Sequence, residues 1–385
     1  MGIAERIKEI EYEYSRTQKN KATEYHLGLL KAKLAMLRRQ TIAAEAKANT
    51  SEKGEGFDVM KHGHSRIAMI GFPSVGKSSF LNLVTEQESE AAAYEFTTLS
   101  CIPGKLFIND AEIQLLDLPG IIEGAGSGRG RGRQVIAVGR SSDLILMIVD
   151  SQKGAEQKLK LTYELECCGI RLNKEKPKII IKPQKTGGLF FHSSVPLTKI
   201  DEKMVKSIFQ EYRMFNMHVK FNGDYDVGDL IDAIEGNRKY VRCIYVYNKI
   251  DTISIEEIDD LVQDEQNACI SVQMNLGIDI LLEKMWDQLG LVRVYTKRTG
   301  TMPDFNDPLI LTTGRDGLTV KSALMQIHRD FVLEFSHAQV WGRSVKFSPQ
   351  RVGMHHQLMD EDVMAIFKNK SGLQEKRVVQ GKKTA

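Results

Sequence analysis

The spacing of apolar and polar residues divides this chain of 385 residues into regions of different character. Near its start, apolar residues recur every three or four positions in two stretches, which are separated by the polar run TQKNK. Such spacing places the apolar residues on one face of a helix, and no heptad repeat continues across the break. The pattern predicts a helical hairpin followed by a polar linker at 1–60.

Short apolar runs between helical patterns dominate the next region and predict an α/β domain. The runs IAMI, IQLL and CIYVY have the length and composition of buried strands, and each is followed by a polar or glycine-rich segment. The first part of this pattern ends near Asp150 and the second begins near Tyr240, and the stretch between them is too long for an ordinary loop. We therefore expect the main domain at 66–290 to contain a small inserted α/β domain at 167–239.

Beyond residue 290 the order of the elements changes. The strand-like pieces VRVYTK, PLILT and QVWGRSVKF surround the helical pattern TVKSALMQIHRDF. This mixed order predicts a compact β-grasp domain at 291–369, and a polar, basic tail follows at 370–385.

The stretch GFPSVGKS at 71–78 connects an apolar strand pattern to a helical one. Its spacing fits the phosphate-binding loop, in which backbone N–H groups surround a polyphosphate, a lysine reaches the β- and γ-phosphates and a hydroxyl ligates Mg²⁺. An ordinary glycine turn is the alternative interpretation. The residues expected to contact the nucleotide here are Gly71, Phe72, Pro73, Ser74, Val75, Gly76, Lys77, Ser78 and Ser79.

A second candidate site follows the apolar run CIYVY, namely Asn248, Lys249, Ile250 and Asp251. In open α/β sheets, ligand-binding loops lie at the carboxyl ends of the strands. A carboxylate there can accept two hydrogen bonds from guanine, whereas adenine offers no such pair of donors. The alternative is that Asp251 caps a helix, for which aspartate is common. Together with the phosphate loop, the motif predicts a guanine nucleotide.

Two further segments are candidates for the metal and the γ-phosphate. The strand pattern EIQLL ends in Asp117, Leu118, Pro119 and Gly120, where the aspartate can hold Mg²⁺ through water and the glycine amide can contact the γ-phosphate. Upstream, FTTL contains Thr97 and Thr98, and only one of the two can face the nucleotide because side chains alternate along an extended segment.

A glycine-rich segment, IIEGAGSGRGRGRQV, comes next. Two interpretations remain open, a flexible linker or a mobile switch whose arginines, Arg129, Arg131 and Arg133, meet phosphate or RNA. The position that carries a water-orienting glutamine in Ras-like enzymes is Ile121, which cannot hydrogen-bond water. We therefore expect hydrolysis to be slow or to use another polarising group, either a monovalent cation or an arginine.

Composition limits the remaining possibilities. The net charge of +3 does not imply a global field for nucleic acid, so such a contact must be a local patch. The five cysteines form no paired framework, which favours a reducing compartment. A charged start and the absence of any long apolar run predict a cytoplasmic protein without a membrane partner.

The quoted motifs, together with CCGIRLN and IEGNRKYVRC, resemble the developmentally regulated GTP-binding proteins, a branch of the Obg-related GTPases. The likeness covers nearly the whole chain and is closest to the first of the two eukaryotic paralogues. It implies a P-loop GTPase core of the α/β class, with the N-terminal helical hairpin, the inserted α/β domain and a C-terminal β-grasp domain of the TGS type.

The resemblance also implies function. Members bind GTP, hydrolyse it slowly with Mg²⁺, associate with translating ribosomes and are stabilised by a dedicated regulatory protein. The likeness favours Thr98 over Thr97 and assigns catalysis to Lys77, Thr98 and Gly120, metal binding to Ser78, Thr98 and Asp117, and a guanine contact to Ser271 and Val272. Related GTPases often use K⁺ as an activator, and Ser74 is the side chain available to hold it.

Two other functions stay open at this point. One is an RNA- or ribosome-binding adaptor whose nucleotide domain is mainly structural, which Ile121 and the low net charge keep in consideration. The other is an ATPase or small-molecule kinase, which the guanine-type motif disfavours.

Overall fold

The structure is a computed structural model that describes residues 3–21, 23–48, 63–85, 103–117, 139–313 and 317–368. Several sequence predictions fall outside these ranges: the linker beyond residue 48, Thr97 and Thr98, Leu118, Pro119 and Gly120, the glycine-rich segment from Ile121 to residue 138, and the tail.

The elements are numbered in chain order. The helices are α1 (Ile3–Arg16), α2 (Glu24–Ala48), α3 (Lys77–Val84), α4 (Gly154–Cys167), α5 (Glu202–Glu211), α6 (Val227–Glu235), α7 (Ile255–Val262), α8 (Ile278–Leu289), α9 (Val320–Ile327) and α10 (Arg329–Glu334). The strands are β1 (Ser65–Ile70), β2 (Pro103–Ile108), β3 (Ala111–Asp117), β4 (Leu144–Asp150), β5 (Ile170–Leu172), β6 (Ile179–Pro183), β7 (Leu189–Ser193), β8 (Met217–Phe221), β9 (Lys239–Asn248), β10 (Asn267–Cys269), β11 (Leu291–Thr296), β12 (Asp304–Thr312), β13 (Phe335–Trp341), β14 (Gln350–Val352) and β15 (Asp362–Lys368).

Helices α1 and α2 form the hairpin that the periodicity predicts. The turn between them is closed by Asn20 and Thr23, because the Thr23 N–H donates to the Asn20 side chain over 3.0 Å. The leucines of the second apolar stripe, Leu30, Leu34 and Leu37, are buried. Helix α2 is longer than the apolar stripe, and it packs on α5 and α6, with Ala32 entering the core of the inserted domain.

The central sheet has the strand order β10-β9-β4-β1-β3-β2, with β5 beside β9. All neighbouring strands run parallel except β2 and β3. Its central strands β1 and β4 are buried almost throughout, since α3 and α8 cover one face and α4 covers the other. A parallel sheet with two covered faces produces the continuous apolar runs seen in the sequence.

The inserted domain is a three-stranded sheet with the order β6-β8-β7. Strands β6 and β8 are antiparallel, whereas β7 and β8 are parallel. Its core lies on one face only, where β8 contributes Met217, Val219 and Phe221 beneath α5, α6 and α2.

The C-terminal domain is a five-stranded sheet, β12-β11-β15-β13-β14, with α9 packed on one face. Strands β11 and β12 of this sheet also pack on the main domain, since Leu291 and Ile310 belong to the same buried cluster as Trp286 of α8. This arrangement of strands around one principal helix agrees with the β-grasp expectation.

The predicted fold class, an α/β core with a helical hairpin, an inserted α/β domain and a C-terminal β-grasp domain, is confirmed. The boundaries of the predicted domains stay predictions, and β5 shows that residues directly after α4 still belong to the central sheet. Along the described ranges, every helix is too short or too polar to span a lipid bilayer.

Candidate functional site

The carboxyl ends of five parallel strands meet at one edge of the central sheet. Register pairs Met69 with Asp117 and with Leu146, and it pairs Asp150 with Asn248. This edge is where open α/β sheets bind ligands. The predicted phosphate loop, Asp117 and the predicted guanine motif are therefore brought together by the pairing of strands that lie far apart in sequence.

The phosphate loop needs its glycines because of close backbone approaches. A Cβ atom on Gly71 would lie 2.3 Å from the carbonyl oxygen of Ile148, and one on Gly76 would lie 2.4 Å from Nδ2 of Asn248. Gly76 also has a φ of +95°, in the left-handed region that glycine favours. Helix α3 then begins at Lys77, so its N-terminal N–H groups point toward the loop.

Lys77 is 7% exposed and its ammonium group lies inside the loop. It donates to the carbonyl oxygens of Gly71 and Phe72 over 3.0 and 2.8 Å. An ammonium group has three N–H donors, so these bonds leave one for a phosphate oxygen. Burial lowers the pKa of Lys77, and the nearby Asp117 carboxylate partly opposes that shift.

Ser78 and Asp117 form the candidate metal position. The Ser78 hydroxyl donates to Oδ2 of Asp117 over 2.8 Å. Oδ1 of the same carboxylate is buried and has no hydrogen-bond partner among the residues that the structure describes. A buried carboxylate oxygen without a partner, next to a hydroxyl, suits a hard cation with oxygen ligands. The two residues fit Mg²⁺.

Asn248 ties the phosphate loop to the predicted guanine side. Its side-chain amide donates to the Val75 carbonyl oxygen over 2.8 Å. Its side-chain oxygen accepts from the backbone N–H groups of Lys249 and Val272, at 2.8 and 3.2 Å. Asn248 is 3% exposed, so these bonds satisfy a buried amide and hold three loops in one arrangement.

Ser271 contacts the predicted guanine-recognition residue. Its hydroxyl donates to Oδ1 of Asp251 over 2.7 Å and accepts from the N–H of Met274 over 3.2 Å. Sequence reasoning expected Ser271 to contact the base directly, whereas the structure places its hydroxyl on the carboxylate. Ser271 is fully buried, so the contact fixes the orientation of Asp251 and leaves its other oxygen available.

Two residues of the site were missed from the sequence. The Asp150 carboxylate accepts from the Lys249 ammonium over 2.7 Å, and the Ser151 hydroxyl donates to the Lys249 carbonyl over 2.9 Å. Burial would raise the pKa of Asp150, but hydrogen bonds from Lys249 and the Gln152 N–H outweigh it and lower the value. The signal was present, since Asp150 ends the apolar run LILMIV as Asp117 ends its own strand.

The described site thus unites most of the predicted residues, Gly71 to Ser79, Asp117, Asn248 to Asp251, Ser271 and Val272. Thr98, Leu118, Pro119 and Gly120 lie outside the described ranges. The individual roles assigned to all of these residues stay predictions.

Models of known families match three consecutive parts of the chain. Residues 66–182 match a family described as a 50S ribosome-binding GTPase, and residues 186–291 match the C-terminal region of that domain. Residues 292–368 match the TGS domain.

Curated relatives match almost end to end. Developmentally-regulated GTP-binding protein 2 of Homo sapiens is 56% identical over 368 residues, which is 96% of this chain and 100% of the relative. Developmentally-regulated G-protein 2 of Arabidopsis thaliana is 54% identical over 370 residues, 96% of this chain and 92% of the relative. This chain belongs to the family of developmentally regulated GTP-binding proteins.

The predicted resemblance to the family is confirmed, and this member carries the GTPase and TGS domains. The relatives from human, mouse and cattle carry the name of protein 2, and one from Arabidopsis thaliana carries the name G-protein 1, so the closer likeness to the first paralogue stays a prediction. Among solved structures, the G domain of the FeoB iron transporter of T. maritima is 17% identical, covering 58% of this chain and 98% of that one, with a TM-score of 0.33.

Proposed function

We propose that this protein is a regulatory GTPase that slowly hydrolyses GTP to GDP and phosphate with Mg²⁺ and whose nucleotide state controls association with the ribosome. The observation that carries the proposal is the hydrogen-bond network of Asn248, which joins the phosphate loop at Val75 to the guanine side at Val272. A site held together in this way is built for a ligand with phosphates at one end and a base at the other.

Selection of guanine follows from Asp251. One carboxylate oxygen is held by Ser271, and a carboxylate so oriented can accept from N1–H and the exocyclic amine of guanine. Adenine would leave that charge without donors, which costs about 1–3 kcal/mol or more for a charged group. Asp150 binds the Lys249 ammonium group, and the Lys249 stem would then lie beside the base.

At the phosphate end, Lys77 and the start of α3 supply positive charge to the β- and γ-phosphates. Ser78 and Asp117, with Thr98, would hold Mg²⁺, which when bound neutralises charge on the phosphate oxygens. The Gly120 amide would sense the γ-phosphate.

Slow turnover follows from Ile121, which offers no hydrogen bond to an attacking water. The positive partner for the developing charge would be K⁺, held in part by Ser74. This residue is exposed and adopts a φ of +65°, so its hydroxyl is displayed at the rim of the loop. The competing source is Arg129, Arg131 or Arg133. Turnover should be faster in K⁺ than in Na⁺ at matched ionic strength; equal rates, with loss on replacing one arginine, would assign the role to arginine.

Association with the ribosome or RNA in the cytoplasm, and stabilisation by a family regulatory protein, belong to the same proposal. Support comes from the matching family model, whose description is a 50S ribosome-binding GTPase, and from the TGS domain.

Co-sedimentation with ribosomes tests the proposal. The protein should sediment more strongly with a non-hydrolysable GTP analogue than with GDP. The variant Asp251→Asn should lose the response to the GTP analogue and regain it with the xanthosine analogue. Equal sedimentation with both nucleotides would contradict nucleotide control. A protein that binds GTP but shows no turnover, with or without RNA, would instead support the adaptor function that Ile121 keeps open.

A further inference from the structure

Among the residues that the structure describes, none covers one face of the sheet in the inserted domain. Pairing of β6, β8 and β7 aligns Lys182, His218 and Phe190 in one row across the three strands. The next row contains Ile180, Lys220 and His192. We call these six residues the outer face. The opposite side chains of the same strands lie in the buried core under α5, α6 and α2.

The outer face is exposed although it carries apolar groups. Phe190 is 52% exposed and Ile180 is 42% exposed. Lys182 and His192 are also exposed, and the two residues of the central strand, His218 and Lys220, are partly exposed. Phe190 and Ile180 therefore present apolar groups to solvent on the side of the sheet opposite its core.

The charge of the outer face has one sign. Its six residues include two lysines, two histidines and no carboxylate, and Lys178 lies just before β6. Within the described part of the chain, Lys178, Lys182 and Lys220 form no ion pair. Two other lysines of this domain do form ion pairs, Lys174 with Glu166 at 2.9 Å and Lys206 with Glu202 at 2.7 Å.

We propose that the outer face of the inserted domain binds single-stranded RNA, with Lys182 and Lys220 on phosphates and Phe190 stacked on a base. Three strands at about 4.8 Å spacing and alternate residues about 7 Å apart make a patch for roughly two or three nucleotides. Histidine and phenylalanine are side chains on which unpaired bases stack, and lysines supply the phosphate contacts.

The composition favours RNA over a protein partner. Lysine is depleted at protein–protein interfaces, whose centres are apolar and aromatic. Here lysine and histidine make up four of the six positions, and only Phe190 and Ile180 are apolar. A flat sheet also suits unstacked bases, whereas duplex RNA is recognised across its minor groove.

Binding of the full chain to a fluorescein-labelled RNA of about 12 nucleotides and mixed sequence tests the proposal, because such a length covers the usual site of one module. Fluorescence anisotropy over a range of KCl concentrations gives the affinity and its salt dependence. Lys182→Gln with Lys220→Gln should reduce the slope of log affinity against log salt by about 1.4, since each phosphate contact on a single strand contributes about 0.7.

Phe190→Ala should act differently. Loss of one stacked base should weaken binding about tenfold at every salt concentration and leave the slope unchanged. The matched control is Lys199→Gln with Lys203→Gln, which removes the same charge from exposed lysines at and before α5, on the covered side of the same domain. This control should keep the slope and affinity of the wild type, and thermal melting should be equal in all three variants.

Three results would each overturn the proposal. They are no binding of the wild-type protein to the RNA at low salt, an equal loss of RNA affinity in the double lysine variant and its control, and an unchanged RNA affinity in Phe190→Ala. Labelled poly-L-glutamate is a second probe. If it binds as tightly as the RNA and with the same sensitivity to the lysine pair, the occupant is an acidic protein segment and RNA is rejected.

Because the inference rests on the association proposed above, ribosome co-sedimentation of the same variants separates the two. If the wild-type protein sediments with ribosomes but the double lysine variant keeps the wild-type affinity for RNA, only the outer-face proposal is wrong. If the wild-type protein does not sediment with ribosomes but the double lysine variant and Phe190→Ala lose RNA affinity as expected, only the ribosomal association is wrong. The outer-face proposal then stands.

Discussion

The central sheet and the inserted sheet place their chemistry in different positions. In the central sheet both faces are covered, so β1 is buried along its whole length and functional groups occur at the strand ends, as Asp117 and Asn248 do. In the inserted sheet only one face is covered, so β8 alternates between buried and partly exposed residues. Its polar groups lie along the strands.

The difference follows from helix coverage. When helices cover both faces of a parallel sheet, only the ends of its strands stay accessible. The loops at those ends can surround a small ligand. A sheet with one open face offers a broad, shallow surface instead, which suits a polymer better than a nucleotide. The molecule therefore carries two kinds of candidate site, one enclosed and one flat, and each is sensitive to different substitutions.

The largest expected effect comes from comparing one phenylalanine on each face of the inserted sheet. Phe221 is fully buried on the covered face, whereas Phe190 is 52% exposed on the outer face. Phe221→Ala should lower the free energy of local unfolding by about 3–5 kcal/mol, the usual cost of removing a buried ring. Phe190→Ala should cost less than about 1 kcal/mol. Hydrogen exchange of the β8 amides measures both, and similar losses would contradict a one-sided sheet.

The next effect concerns the enclosed site. Lys77→Ala should reduce affinity for GTP by about 4 kcal/mol, roughly 1,000-fold, because several charge-assisted hydrogen bonds are lost together. Lys105→Ala is the control, since its side chain is 70% exposed on the edge strand β2. Titration with a fluorescent GTP analogue checks both variants. Retention of wild-type affinity by Lys77→Ala would show that 71–78 is not the phosphate loop.

Base recognition should be lost more selectively. Asp251→Asn should weaken GTP binding by about 2–4 kcal/mol, because an amide can no longer accept both guanine donors. Binding of xanthosine triphosphate should appear, since the amide can donate to the carbonyl that replaces the exocyclic amine. Asp259→Asn on α7, which is exposed, is the matched control. A variant that binds GTP as the wild type does would refute the role of Asp251.

The smallest expected effect concerns the ion pair of Asp150 and Lys249. Asp150→Asn should lower the free energy of unfolding by about 0.5–1 kcal/mol at pH 7, a modest value because Lys249 is 42% exposed.

Acid should remove that difference. Hydrogen bonds from Lys249 and Gln152 lower the pKa of Asp150 in the folded protein. Its contribution is therefore complete above the ordinary value near 3.9 and is lost as the pH falls through the lowered value. Unfolding measured at pH 7 and at successively lower pH should show the full difference above about pH 3.9 and its progressive loss below it. The exposed Asp260→Asn should show no difference at either pH.

The sequence alone was sufficient where a local pattern has one physical meaning. The run IAMI followed by GFPSVGKS implies a strand, a loop and a helix start, because glycines at these positions permit the close approaches that the structure shows. Asn248 to Asp251 after CIYVY likewise implies a strand-end site. The helical hairpin and the order of domains followed from periodicity.

Only the tertiary structure decided how distant segments meet. That Asn248 bonds Val75, 173 positions away, and that Asp150 holds Lys249 depend on which strands are neighbours, and strand order is set by packing of the whole sheet. The run III in β6 shows the same limit, since three consecutive isoleucines hide the alternation that would reveal an open face. Pairing with β8 places Ile180 outside and its neighbours inside. Local periodicity is a property of the chain, whereas the side of a sheet that is covered is a property of the fold.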